Sequence, residues 1–153
     1  MNPTLALHAR LPTRRIEVTT KSIIMGAVTS RDWAPLHHDD VWAKSEGKLP
    51  NILMNNYTQA GLINAYVTDW SGPAARIGRL RFSMRSPICP GDALDLSGVI
   101  ETIDPEPELI WVSLAIELTV GDRLATRSTV RVALPVSEQS PSLWQRRADA
   151  WQP

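Results

Sequence analysis

Asp32 and His37 stand in the stretch Asp32-Trp33-Ala34-Pro35-Leu36-His37-His38-Asp39. A carboxylate and an imidazole so spaced can divide the two proton movements that add water to an activated double bond. One group takes a proton from water, and the other returns one to the carbon beside the carbonyl. Pro35 would stiffen the turn between them. Histidine, with an unperturbed pKa of about 6.5, is the natural proton exchanger near neutrality. Taken alone, such a pair is more often a helix cap and a solvated side chain.

The surrounding pattern supplies elements to hold the pair. Residues 15–24 are rich in β-branched side chains and predict a first strand, and residues 38–44 predict a short helix stopped by Gly47. Residues 53–69 lack proline, and their apolar positions cover most of a helix circumference, so this helix is expected to be buried nearly all round. Gly61 in its middle costs about 1 kcal/mol relative to alanine and suggests close approach of another backbone. Residues 78–86 alternate, with Leu80, Phe82 and Met84 on one face and Arg79, Arg81 and Arg85 on the other. Further strands are expected over 93–103, 109–120 and 123–134, the last two joined through Gly121-Asp122 as a hairpin. One strand, a buried helix and four antiparallel strands define an α+β layer over residues 1–135. Residues 136–153 form a polar tail that carries Trp144 and Trp151, either disordered or packed on a partner.

Composition removes several function classes. Sixteen Lys plus Arg balance sixteen Asp plus Glu, so no net field steers the chain to nucleic acid or an anionic membrane. Cys89 is the single cysteine, which excludes an internal disulfide and fits a reducing cytoplasm, and no Cys and His spacing suggests a zinc site. No stretch approaches the roughly twenty apolar residues of a membrane span. The basic faces at Arg79, Arg81 and Arg85 and at Arg123, Arg127 and Arg131 could meet phosphates but read more simply as a solvated outer sheet face.

Asp32-Trp33-Ala34-Pro35-Leu36-His37 resembles the D-x-N-P-[LIV]-H motif of MaoC-like (R)-specific enoyl-CoA hydratases. Arg81-Phe82 followed by Ser86-Pro87-Ile88-Cys89-Pro90-Gly91-Asp92-Ala93-Leu94 is similar to the same family's second motif. Thr29-Ser30-Arg31-Asp32, Thr58-Gln59-Ala60-Gly61-Leu62 and Tyr66-Val67-Thr68-Asp69-Trp70-Ser71-Gly72-Pro73 further resemble the small catalytic hydratase subunits of bacterial steroid side-chain degradation.

The resemblance implies a hot-dog fold, an antiparallel sheet of about five strands wrapped around a long central helix. It implies hydration of a 2-enoyl-CoA by Asp32 and His37, with no metal or organic cofactor. The oxyanion donor would be the backbone N–H of Asn56, with Asn55, Tyr57 and Thr58 contacting substrate; either asparagine side chain could equally be a plain N-cap. The assembly would be a homodimer or a heteromer with a second hot-dog subunit, and the substrate side chain a steroid. Two departures stand out. Ala34 replaces the motif asparagine, removing an amide that would orient the catalytic pair or the water, and Asn55-Asn56 replaces the usual His-Gly before the helix. Two other readings remain open: a hot-dog acyl-CoA thioesterase, and a non-catalytic acyl-CoA-binding subunit.

Overall fold

The computed structural model describes residues 5–153. In chain order the elements are β1 (Arg10–Glu17), α1 (Thr20–Thr29), a 3-10 turn at Pro35–His37, α2 (Asp40–Ser45), α3 (Asn56–Ser71), β2 (Arg76–Met84), β3 (Ala93–Pro105), β4 (Leu109–Val120) and β5 (Arg123–Pro135). Two further 3-10 turns, Leu143–Gln145 and Ala148–Ala150, lie in the tail. The strands form one five-stranded sheet in the order β1-β3-β4-β5-β2, with every pairing antiparallel. The expected α+β architecture is therefore present. The β4–β5 hairpin closes at Gly121-Asp122 as the sequence predicts, with Gly121 at the positive φ of 57° that a tight turn requires.

Alternation along β3, β4 and β5 sends Leu94, Leu96, Ile100, Leu114, Ile116, Leu118, Val130 and Val132 to one face, where they bury Ile63, Tyr66 and Val67 of α3. Each such side chain contributes roughly 1.5–3 kcal/mol on burial. The Tyr66 hydroxyl donates to the Pro12 carbonyl at 3.0 Å, which ties the helix to β1.

Three expectations need correction. The first strand lies earlier than 15–24, and Thr20–Thr29 is helical. There, Thr19 and Ser22 form a reciprocal capping box, and the spacing of Ile23 and Ala27 seats one helix face in the core. Tertiary burial of that face outweighs the strand preference of β-branched residues. Second, α3 is buried on one side only. Tyr57 is 60% exposed, Gly61 and Ala65 are exposed, and a β-carbon built on Gly61 would meet nothing within 4 Å. The close approach expected at Gly61 is absent from this chain. Third, the tail folds back onto the far face of its own sheet. Trp151 packs on buried Trp111 with ring centroids 4.8 Å apart, and the Arg76 guanidinium lies 4.0 Å from the Trp151 ring centre while donating to the Leu143 carbonyl.

Candidate active site

Asp32 is placed by the way α1 ends. The Asp32 N–H donates to the Ala27 carbonyl and the Arg31 N–H to that of Val28, the double closure that stops a helix when the intervening residue turns left-handed. Arg31 occupies that position with φ 55°, where glycine is usual, at a cost of order 1 kcal/mol. The chain then reverses through the Pro35 turn, and the His37 N–H donates to the Ala34 carbonyl at 3.0 Å.

His37 is buried at 6% exposure, with Nε2 3.2 Å from Asp32 Oδ2. Its Nδ1 lies 2.7 Å from the Leu53 carbonyl. A carbonyl can only accept, so Nδ1 carries the hydrogen and Nε2 is the ring atom turned to Asp32. Asp32 keeps 22% of its side chain exposed, so the pair opens outward on the carboxylate side.

Asn55 is the N-cap of α3 and is 2% exposed. Its Oδ1 accepts from the Thr58 N–H at 2.9 Å and from Thr58 Oγ1 at 2.6 Å. That fixes the amide orientation, so Nδ2 points the other way and donates to Asp32 Oδ2 at 3.1 Å and to Ser30 Oγ at 2.8 Å. All four hydrogen-bonding positions of the amide are used within the chain. The Asp32 carboxyl is held below the usual carboxylate range, chiefly by this Asn55 amide; burial works against the shift, and the Ala34 N–H and His37 add to it.

Asn56 is the first residue of α3. Among the described residues, its N–H and that of Tyr57 have no acceptor, leaving the positive end of a sixteen-residue helix uncapped at those two groups. Shallow clefts flank this helix end. One of about 330 Å³ is lined by Gly26, Ser30, Tyr57, Thr58 and Leu62, the other of about 260 Å³ by Leu53, Met54, Gln59 and Met84.

Of the residues that the sequence points to, Asp32, His37 and Asn55 therefore converge, and the Asn56 backbone belongs to the same helix end. Thr58 is half-buried and engaged with Asn55, while Tyr57 projects outward. His38 braces the turn through the Trp33 carbonyl, and Asp39 caps α2. Cys89 is half-buried, and burial pushes its thiol up, away from reactivity. Arg79, Arg81 and Arg131 line a wider cleft of about 500 Å³ on the opposite sheet face, where Arg131 pairs with Asp104 and Arg79 donates to the Pro153 carbonyl. That cleft holds no acid-base pair.

Sequence reasoning missed Ser30, Gly26 and Gln59. A β-carbon on Gly26 would fall 2.1 Å from Thr58 Oγ1, so only glycine lets α1 lie against the α3 cap. Buried Gln59 donates to the Met54 carbonyl at 3.1 Å and accepts from Thr126, fixing the loop that precedes Asn55. Ser30 precedes the motif directly, but the link to Asn55 spans 25 positions and becomes visible only once α1 and α3 pack.

A carboxylate and a tautomer-locked imidazole beside a helix N-terminus, on a sheet that holds a central helix, define a hot-dog protein with an acid-base site. Residues 6–122 match the MaoC-like domain, and the chain belongs to that family. It is 30% identical over 126 residues to the 3-oxo-4,17-pregnadiene-20-carboxyl-CoA hydratase beta subunit of Mycobacterium tuberculosis, covering 82% of this chain and 94% of that protein. The crystal structure of the ChsH1-ChsH2 complex from M. tuberculosis superposes with a TM-score of 0.75 at 27% identity, over 86% of this chain and 99% of the matched one. An (R)-hydratase from A. caviae involved in PHA biosynthesis shares the fold, with a TM-score of 0.75 at 18% identity over 86% and 98% of the two chains.

Proposed function

We propose that this protein hydrates the 2,3 double bond of a 2-enoyl-CoA, without a metal or organic cofactor, and that its acyl group is a steroid side chain. The observation that carries the reading is the His37 Nε2, fixed by the Leu53 carbonyl and set 3.2 Å from an ionised Asp32 beside the open N-terminus of α3. A water held by the pair gives its oxygen to Cβ and its proton to the Asp32 carboxylate. His37, carrying a second proton on Nε2 in the reacting state, delivers that proton to Cα as the enolate collapses. The Asp32 proton then crosses to Nε2, and both groups return to their starting states with one water consumed. While the enolate exists, negative charge on the thioester oxygen faces the Asn56 N–H and the helix dipole.

The steroid reading draws on the named relative, whose substrate carries a pregnadiene skeleton. A partner subunit is part of the proposal. The clefts beside the site are open, and exposed Met25, Val28, Trp33 and Tyr57 lie on α1, α3 and the intervening turn. A second hot-dog chain laid over this face would deepen them into a pocket fit for a long thioester, and the superposing ChsH1-ChsH2 structure, like that of the C-terminally truncated HadBC dehydratase of M. tuberculosis, is itself a complex. Loss of enoyl-thioester absorbance, followed with steroid and short linear enoyl-CoA substrates, tests the chemistry. Release of free thiol from saturated acyl-CoA instead would establish the thioesterase, and binding without turnover the non-catalytic subunit.

A further inference from the structure

We propose that Asn55 is a positioning residue for Asp32: the cap of α3 aims the carboxylate and joins it to the helix end that receives the thioester oxygen. This rests on the hydratase reading of the same site.

Asn55 has two jobs that chemistry keeps separate. Its Oδ1 caps the helix by accepting from Thr58, a role that serine or aspartate performs as well. Its Nδ2 donates to Asp32 Oδ2, the oxygen that also faces His37, and neither serine nor aspartate can reproduce a primary amide there. Ser30 receives the second Nδ2 hydrogen and passes its own to the Gly26 carbonyl at 2.8 Å, so the amide is clamped between α1 and α3. Position 34 holds alanine, and its backbone N–H reaches Asp32 only at 3.4 Å, which leaves Asn55 as the side-chain amide on this carboxylate. Among the described residues, His37 is the one titratable side chain in contact with Asp32; Asn55, Ser30 and Thr58 are neutral. Ionised Asp32 and the uncapped Asn56 N–H therefore belong to one rigid unit, with one peptide bond between Asn55 and the oxyanion donor.

Asn55→Asp and Asn55→Ser separate the two jobs. Both retain the cap, so both should fold; Asn55→Asp, which buries a second carboxylate beside Asp32, should melt lower at neutral pH than Asn55→Ser. Asn55→Asp sets a second carboxylate against Asp32 and raises its pKa. The ratio of kcat/KM at pH 7.5 to that at pH 5 should then rise at least about fivefold over wild type. Asn55→Ser adds no charge, and it should lower kcat about tenfold or more, with KM little changed, since it removes orientation of the base and no substrate contact. Wild-type kcat and an unaltered pH profile in either folded variant would overturn the proposal, as would a loss expressed only in KM, the signature of a substrate contact. Asp32→Asn is the control. If it stays fully active, the role given to Asp32 fails, and with it the positioning role; if the wild-type protein shows no hydration at all, the hydratase reading itself fails; if Asp32→Asn is inactive while both Asn55 variants behave as wild type, the positioning role alone fails.

Discussion

Replacing Asp32 by asparagine changes one oxygen to an amide nitrogen and removes one charge. Oδ2 is the atom that meets both Asn55 Nδ2 at 3.1 Å and His37 Nε2 at 3.2 Å. An asparagine that keeps its oxygen there still accepts from Asn55, and its amide nitrogen replaces the oxygen that meets the Ala34 N–H at 3.4 Å, the weakest bond of the set. The folded state thus loses about 1 kcal/mol or less, a melting shift of roughly 2–4 °C for a chain of this size. Catalysis loses far more, because an amide cannot take the proton of the attacking water. Acid-base groups contribute about 10²–10⁴-fold, and the middle of that range, about 10³ in kcat, corresponds to roughly 4 kcal/mol. The decisive pair of measurements is single-turnover hydration of an enoyl-CoA alongside thermal unfolding of the same preparation. A folded variant within threefold of wild-type kcat would refute the role given to this carboxylate, and one that has unfolded would refute the small stability loss.

Three further outcomes follow from the structure. A steroid enoyl-CoA should show higher kcat/KM than crotonyl-CoA, because binding energy from the remote ring system can be used in the transition state; preference for the short substrate would reject the steroid reading. Light scattering of active protein should report an assembly of at least two hot-dog chains, and a fully active monomer at assay concentration would refute the shared pocket. Trp151→Ala should destabilise the protein by about 2–4 kcal/mol with little effect on kcat, since Trp151 covers Trp111 on the sheet face away from Asp32; unchanged unfolding would show that the tail contributes no stability.

The sheet was the most legible part of the sequence because its signals are local. Strand alternation and the Gly121-Asp122 turn are local signals, and they place both ends of each of β2 to β5 within two residues of those observed. α1 was hidden by two atypical termini. Its capping box uses Ser22 where glutamate or glutamine is usual, and its left-handed stop uses Arg31 where glycine is usual. The motif pair Asp32 and His37 could be named from type and spacing, whereas what holds them together lies in contacts that pattern cannot carry. Leu53 supplies a backbone carbonyl, whose value depends on geometry alone, and Asn55 reads in sequence as an ordinary cap.

The open side of α3 and the folded-back tail have a common physical basis. A 153-residue chain with one sheet must place most of its apolar surface somewhere, and a helix on one face consumes only that face. Here Trp111, Ala133 and Leu143 form a second, smaller cluster on the opposite face, closed by Trp151 and braced by Arg76. Consecutive residues of β4 and β5, such as Trp111 and Val112 or Val132 and Ala133, are therefore buried on both sides of the sheet. That second cluster supplies stability without drawing on the outer side of α3, so Tyr57, Gly61 and the mouth of the Asp32 site can remain uncovered within the chain. An exposed glycine and small neighbours along a helix let another helix approach closely. The face left bare by this division is the one that adjoins Asp32 and the Asn56 N–H, where a partner chain would complete the pocket and exclude water from the developing enolate.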